Sequence, residues 1–142
     1  MVTPRNSTVI MFLTLLTFFE SCKIPETRFR IVSVDTSTKA ETISYLQLAK
    51  NYKYYQGKYV DIKGLFGQSF EHFGICPDST EWTKDLNCFW LGIDKDLKMT
   101  ESDLRRMNMK IVRIKGLFDS SNKGHLNSYY GTIRNIYYWE LQ

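Results

Sequence analysis

No apolar run in this 142-residue chain reaches the roughly 20 residues that a helix needs to cross a bilayer. Cysteine is scarce, at three residues, and none sits in the paired C-x-x-C spacing of structural zinc. The eight glycines include no phosphate-cradling loop. No histidine-glutamate zinc helix and no plausible Ser/His/Asp order is present. Two segments come close to catalytic or metal motifs and fail. Asp94-Lys-Asp96 opens like a calcium loop, but Lys98 and Met99 fall where an oxygen ligand and a turn glycine are required. Gly67-Gln-Ser69-Phe-Glu71 lacks the second glycine of a nucleophile elbow. Charge of one sign is also in short supply: 19 basic and 15 acidic residues give a dispersed +4, which is no nucleic-acid signature. These absences argue against an enzyme, and they call for no cofactor and no metal.

What the chain does contain is one stretch written twice. Lys58-Tyr-Val-Asp-Ile-Lys-Gly-Leu-Phe66 recurs 52 residues later as Lys110-Ile-Val-Arg-Ile-Lys-Gly-Leu-Phe118, with seven of nine positions identical. Val60, Ile62, Gly64 and Phe66, and Val112, Ile114, Gly116 and Phe118, fall on one face with largely polar residues on the other, the period of a half-buried strand. Gly64 and Gly116 at the same place in each copy imply a coil or bulge where a sheet bends sharply, as small barrels require. Aromatic content of 15% with plentiful strand formers favours β structure.

Taken in order, the chain gives a helix over Glu41–Asn51 with Ile43, Leu46 and Ala49 or Lys50 on one side. The first repeated strand follows. Gly67-Gln68 then serves as a tight link to a strand over Ser69–Ile75. A polar loop covers Cys76–Asn87, and Cys88–Ile93 is a third strand. Thr100 with an acid at Asp103 is a capping-box start for a short helix through Met107. The second repeated strand occupies Met109–Phe118. A last strand runs from about Tyr130 to Leu141, where Gly131 and the Ile133/Ile136/Trp139 spacing imply another bulge. Three strands, a short helix and two strands is the order of an OB-fold, a five-stranded Greek-key barrel in which the first and fourth strands are neighbours. The repeated stretches are the first and the fourth. The fold expected is mainly β, an OB-like barrel with an additional N-terminal helix.

The first residues read differently. Arg5 and the eleven-residue run Val9–Phe19 have the make-up of a signal peptide, and Phe19-Glu20-Ser21-Cys22 is similar to a bacterial lipobox with Cys22 as lipid acceptor. An ordinary secretory signal and a buried hydrophobic helix are the alternatives. The expected organisation is a signal at 1–21, a tether at 22–40 that includes a candidate short strand at Phe29–Val34, and a barrel domain at 41–142. Loss of Arg5 and Glu20 would leave 18 basic and 14 acidic residues and the same +4.

The pattern Gly57-Lys-x-Val60-x-Ile62-x-Gly64, Lys110-x-Val112-x-Ile114-x-Gly116-x-Phe118, Gly124-His125 and Gly131-Thr-Ile133-x-Asn-Ile136 resembles small exported bacterial lipoproteins with an OB-fold-like domain, whose function is largely unknown. The resemblance covers about residues 41–141. It implies architecture and location, a lipid-anchored place in the cell envelope facing the periplasm or the surface, but no active site. Two or more acyl chains on Cys22 would anchor the protein stably in a membrane.

Three constellations remain. Cys76 and Cys88 are a disulfide candidate in an oxidising compartment, against two free buried thiols. His72 and Cys76, with Cys88 and Asp78, make an incomplete zinc set, and His72 fits better as a cap or lining of the barrel. Outward aromatics include Tyr59, Phe70 or Phe73, Phe89 or Trp90, and Tyr137 or Tyr138, with Lys63, Arg113, Lys115 and Arg134 among them. In the cytoplasm such a face would suit single-stranded nucleic acid. The export signal argues instead for a non-catalytic module that binds an envelope protein, a glycan or a small ligand.

Overall fold

The computed structural model describes residues 29–33, 37–83 and 87–142. The expected signal segment and Cys22 lie outside the described residues. Among the described residues seven strands form one sheet: β1 (Arg30–Val32), β2 (Glu41–Thr42), β3 (Tyr59–Gln68), β4 (Phe73–Cys76), β5 (Phe89–Leu91), β6 (Lys110–Asp119) and β7 (Thr132–Leu141). Three short α-helices accompany them among these residues: α1 (Tyr45–Lys50), α2 (Ser79–Thr83) and α3 (Glu101–Met107).

Five strands close a barrel in the cycle β3-β4-β5-β7-β6 and back to β3, every contact antiparallel except the parallel β5–β7 pair. With α3 between the third and fourth barrel strands, this is an OB-like barrel. β1 adds to β7 antiparallel and β2 to β3 parallel. β1 thus occupies part of the stretch expected to be a tether.

The repeat explains the closure. Ile62 pairs with Ile114, its own counterpart; Val60 faces Gly116, and Gly64 faces Val112. The two copies are thus related by a local two-fold through the Ile62–Ile114 pair. Both glycines act alike. A Cβ on Gly64 would lie 2.8 Å from the Cys76 carbonyl oxygen, and one on Gly116 would lie 2.9 Å from that of Arg134. Each lets the next strand cross close by. The β6–β7 register shifts across Gly116, where Leu117 pairs with Arg134 but Lys115 with Tyr138. The extra β7 residues include Asn135 at φ 48°, a left-handed conformation that asparagine tolerates. Gly131 has another role: a Cβ there would meet the Phe118 ring at 2.7 Å and the Asp119 carbonyl oxygen at 2.9 Å.

Val60, Ile62, Phe66, Val112, Ile114 and Phe118 are all buried, with Phe89, Ile133 and Trp139 filling the barrel. Phe66 meets Trp139 edge-on at 5.0 Å and Phe89 meets Phe118 at 5.4 Å, a favoured aromatic geometry.

Three local expectations change. The helix expected over Glu41–Asn51 begins only at Tyr45, because Glu41–Thr42 pairs with β3 and Ser44 caps the helix in a reciprocal box with Gln47. Its buried residues are Tyr45 and Leu48, whereas Leu46 is 62% exposed. The hairpin link is 69–72, not Gly67-Gln68, since Gly67 pairs with Gly74 inside the ladder and the Ser69 N–H donates to the His72 carbonyl. The polar loop contains α2, because the Asp78 carboxylate accepts from the Thr80 and Glu81 amides. The Thr100 capping box forms as expected, with Asp103.

Candidate binding face

The barrel carries two unlike outer surfaces. On β4 and β5 the alternate residues Phe73, Ile75, Phe89 and Leu91 pack in or against the core. Gly74, Cys76, Cys88 and Trp90 therefore fall on the outer side. A second, smaller apolar cluster forms there from Cys76, Cys88 and Tyr129, with Trp82 and Trp90 packed on it. Cys76 and Cys88 are joined by a disulfide, with Cα atoms 4.4 Å apart. Both sulfurs are consumed by that bond, which leaves no thiolate for a metal. Among the described residues no three His, Cys, Asp or Glu side chains gather as a metal set.

Two loops cover this cluster. Residues 69–72 lead into β4 and residues 120–131 lead into β7; they meet where the His72 ring Nδ1 lies 3.1 Å from the Tyr129 hydroxyl. Tyr129 crosses Trp90 at 5.1 Å, and His125 lies nearly parallel to Trp90 at 6.4 Å. Trp82, carried by α2, meets His72 at 5.7 Å and takes the space a Cβ on Gly67 would fill. Gly124, at φ 65°, brings the loop against Trp90, where any side chain would collide. His72 thus lines the face rather than a zinc site.

The rim of this cluster is apolar and open. Phe70, at the tip of the first loop, is fully exposed, and Leu126 in the second is 77% exposed. Leu126 also holds a left-handed backbone at φ 53°, ψ 18°. For a branched bulky residue that conformation costs on the order of 1–2 kcal/mol. Of the sequence alternatives, Phe70 and Trp90 face outward, while Phe73 and Phe89 turn inward. Trp82, Leu126 and Tyr129 were not singled out by the sequence, and His125 entered only through the Gly124-His125 pattern; an apolar Leu126 in an otherwise polar loop was the available signal.

The other surface spans β2, β3, β6, β7 and β1, and its outward residues form two cross-strand rows. One runs Thr42, Asp61, Lys115, Tyr138, Val32; the other runs Lys63, Arg113, Glu140, Arg30. Asp61 is the anchor. Arg113 grips it side-on, Nε to Oδ1 at 2.8 Å and Nη2 to Oδ2 at 2.7 Å. The Lys115 Nζ is 3.7 Å away, and the Thr42 hydroxyl donates at 3.3 Å. Burial pushes the Asp61 carboxyl up, but the Arg113 hydrogen bonds and charge, with Lys115 and Thr42, outweigh it and hold the group below the usual carboxylate range. The Lys115 ammonium lies 4.8 Å from the centre of the Tyr138 ring. Tyr59 meets Tyr137 edge-on at 6.0 Å, and both are half-buried.

The Trp90 cluster is thus apart from the cations, whereas Tyr138 lies among them, with Arg113 and Lys115 against its ring. A groove for single-stranded nucleic acid needs stacking rings and backbone-tracking cations together. Comparison of the chain with protein-family models, with curated proteins and with solved structures finds no match.

Proposed function

We propose that this protein is a lipid-anchored component of a bacterial cell envelope, held through Cys22, whose OB-like barrel is a non-catalytic binding module. The contact surface is the rim around Phe70 and Leu126. The observation that carries the reading is that two loops, joined through His72 and Tyr129, hold fully or largely exposed apolar side chains beside a half-buried aromatic cluster. Large apolar anchors framed by packed aromatics are what protein interfaces use, so an envelope protein is the favoured partner. Glycan recognition by the same OB face is the alternative within this reading. The disulfide agrees with an oxidising compartment, where such bonds persist.

The test begins with the mass of the mature N-terminus in the native host. A lipid-modified Cys22, with a Cys22→Ala variant released from the membrane fraction, upholds the anchor. Retention of Met1 on a soluble chain rejects it. The module is tested by a Phe70→Ser/Leu126→Ser pair: a partner retained by the wild type and lost from the folded variant upholds the rim, and equal retention rejects it.

A further inference from the structure

The charged surface holds an imbalance that folding alone does not call for. Four cations (Arg30, Lys63, Arg113, Lys115) share its two rows with two carboxylates (Asp61, Glu140), which leaves two positive charges in excess. Lys63 stands directly opposite Arg113, and like charges across a strand pair destabilise it. The repeat sharpens the point. Asp61 is the counterpart of Arg113, so the symmetry mate of the attractive Asp61–Lys115 pair is the repulsive Arg113–Lys63 pair. Asp61 is engaged by Arg113 and Lys115, and Glu140 accepts from the Gln142 side chain. Lys63 has no carboxylate partner among the described residues.

The backbone leaves room at that spot. β2 stops at Thr42 and the chain turns into α1 at the Ser44 cap, so the edge of β3 at Lys63 is uncovered. A groove of about 570 Å³ opens there, lined by Thr42, Ser44, Asp61, Lys63 and Arg113 among others. Arg113 spends its Nε and Nη2 on Asp61, which fixes the guanidinium in place, and its Nη1 has no hydrogen-bond partner among the described residues.

We propose that this groove binds a phosphate monoester between Lys63 and Arg113, with the Ser44 hydroxyl as a further donor. A phosphate monoester offers three acceptor oxygens to the separate donors on Lys63, Arg113 and Ser44, where a carboxylate offers two, and its charge answers the two cations of the groove, of which Asp61 offsets only one. The phosphate has two sources, a soluble ester or the headgroup of a membrane lipid. The site is separate from the aromatic rim and stands or falls without it.

The test uses the full chain in neutral detergent micelles, with amide chemical shifts of Thr42, Ser44 and Lys63 followed by NMR. The probes are inorganic phosphate, glycerol 3-phosphate and micelles doped with phosphatidic acid. Saturable shifts at those residues with the soluble probes assign a free ester, and shifts with the doped micelles alone assign a headgroup; either upholds the site. Lys63→Gln should then weaken binding about tenfold, the loss of one charge-assisted contact. A Lys95→Gln control should leave binding unchanged. No saturable shift with any probe overturns the proposal, as does binding of equal strength in Lys63→Gln.

Discussion

The two outer surfaces lie over one barrel core yet are made coherent by different forces. Around Asp61 the outer layer is polar, and the buried carboxylate is settled by Arg113 and Lys115 across a strand pair. Around Trp90 the outer layer is a second apolar cluster pinned by a covalent bond. Ion pairs between a buried carboxylate and partly exposed cations add little net stability, because desolvation and side-chain ordering consume much of the attraction. Their return is register: Asp61 meets Arg113 and Lys115 only if Ile62 faces Ile114. The aromatic side has no such pairing. It gains from burial and the disulfide, which leaves its loop residues free to expose Phe70 and Leu126. One surface fixes how the repeats align; the other is where the protein has apolar side chains to spare.

The contrast is open to breaking. The largest effect is expected from Cys76→Ser/Cys88→Ser, which reopens a loop of sequence separation 12. The expected loss is about 3 kcal/mol, read as a lower midpoint in urea unfolding, with the wild type in reductant falling to the same value. Asp61→Asn attacks the opposite surface. It leaves Arg113 and Lys115 facing a neutral group and should cost about 2 kcal/mol. That is less than for a fully buried pair, because the Arg113 side chain is 32% exposed. If Asp61→Asn costs as much as loss of the disulfide, the division between the two surfaces is wrong.

Acid should find the charged surface first. Because the folded-state pKa of Asp61 is depressed, its contribution is present above the unfolded carboxylate value near pH ~4 and is lost as pH falls through the lower folded value. Urea midpoints measured downward from pH 5 should drop more steeply in the wild type than in Asp61→Asn. Equal slopes would remove Asp61 from the account.

Smaller effects are expected at the rim. Leu126→Asn places a residue that tolerates the left-handed conformation where a leucine is strained, and should raise stability by about 1 kcal/mol. Phe70→Ser should stay within about 0.5 kcal/mol of the wild type, since the ring touches little of the folded protein. Both follow from thermal or urea unfolding. A stabilised Leu126→Asn that also loses its partner would mark the strain as serving recognition.

Much of this was legible beforehand because the repeat carries period, face and glycine position together. Val60, Ile62, Phe66 and their counterparts could be placed in the core from spacing alone, and the Thr100–Asp103 box fixed where α3 starts. Short elements were less legible. Glu41–Thr42 has no hydrophobic period of its own and becomes a strand only by pairing with β3, so the helical spacing beginning at Ile43 drew the boundary too early. Gly67 looked like a turn glycine because nothing local reveals that the Trp82 ring must lie over it. The aromatic rim was legible only in part. Whether a ring on a small barrel faces in or out depends on strand parity, and parity around Phe73 and Phe89 is set by where the 69–72 link ends. Asp61 left a clue in the sequence, as one of the two positions at which the copies differ.

The most direct test of the rim as the working surface is a photo-crosslinking side chain placed in the full-length protein in living cells, at Phe70, at Leu126 and, as a control, at exposed Lys95. The expected result is a discrete adduct at both rim positions, absent at Lys95 and abolished at each rim position when the other is changed to serine. Adducts of equal yield at all three positions, or none at either rim position, would contradict the central claim and leave the aromatic cluster as a second core and nothing more.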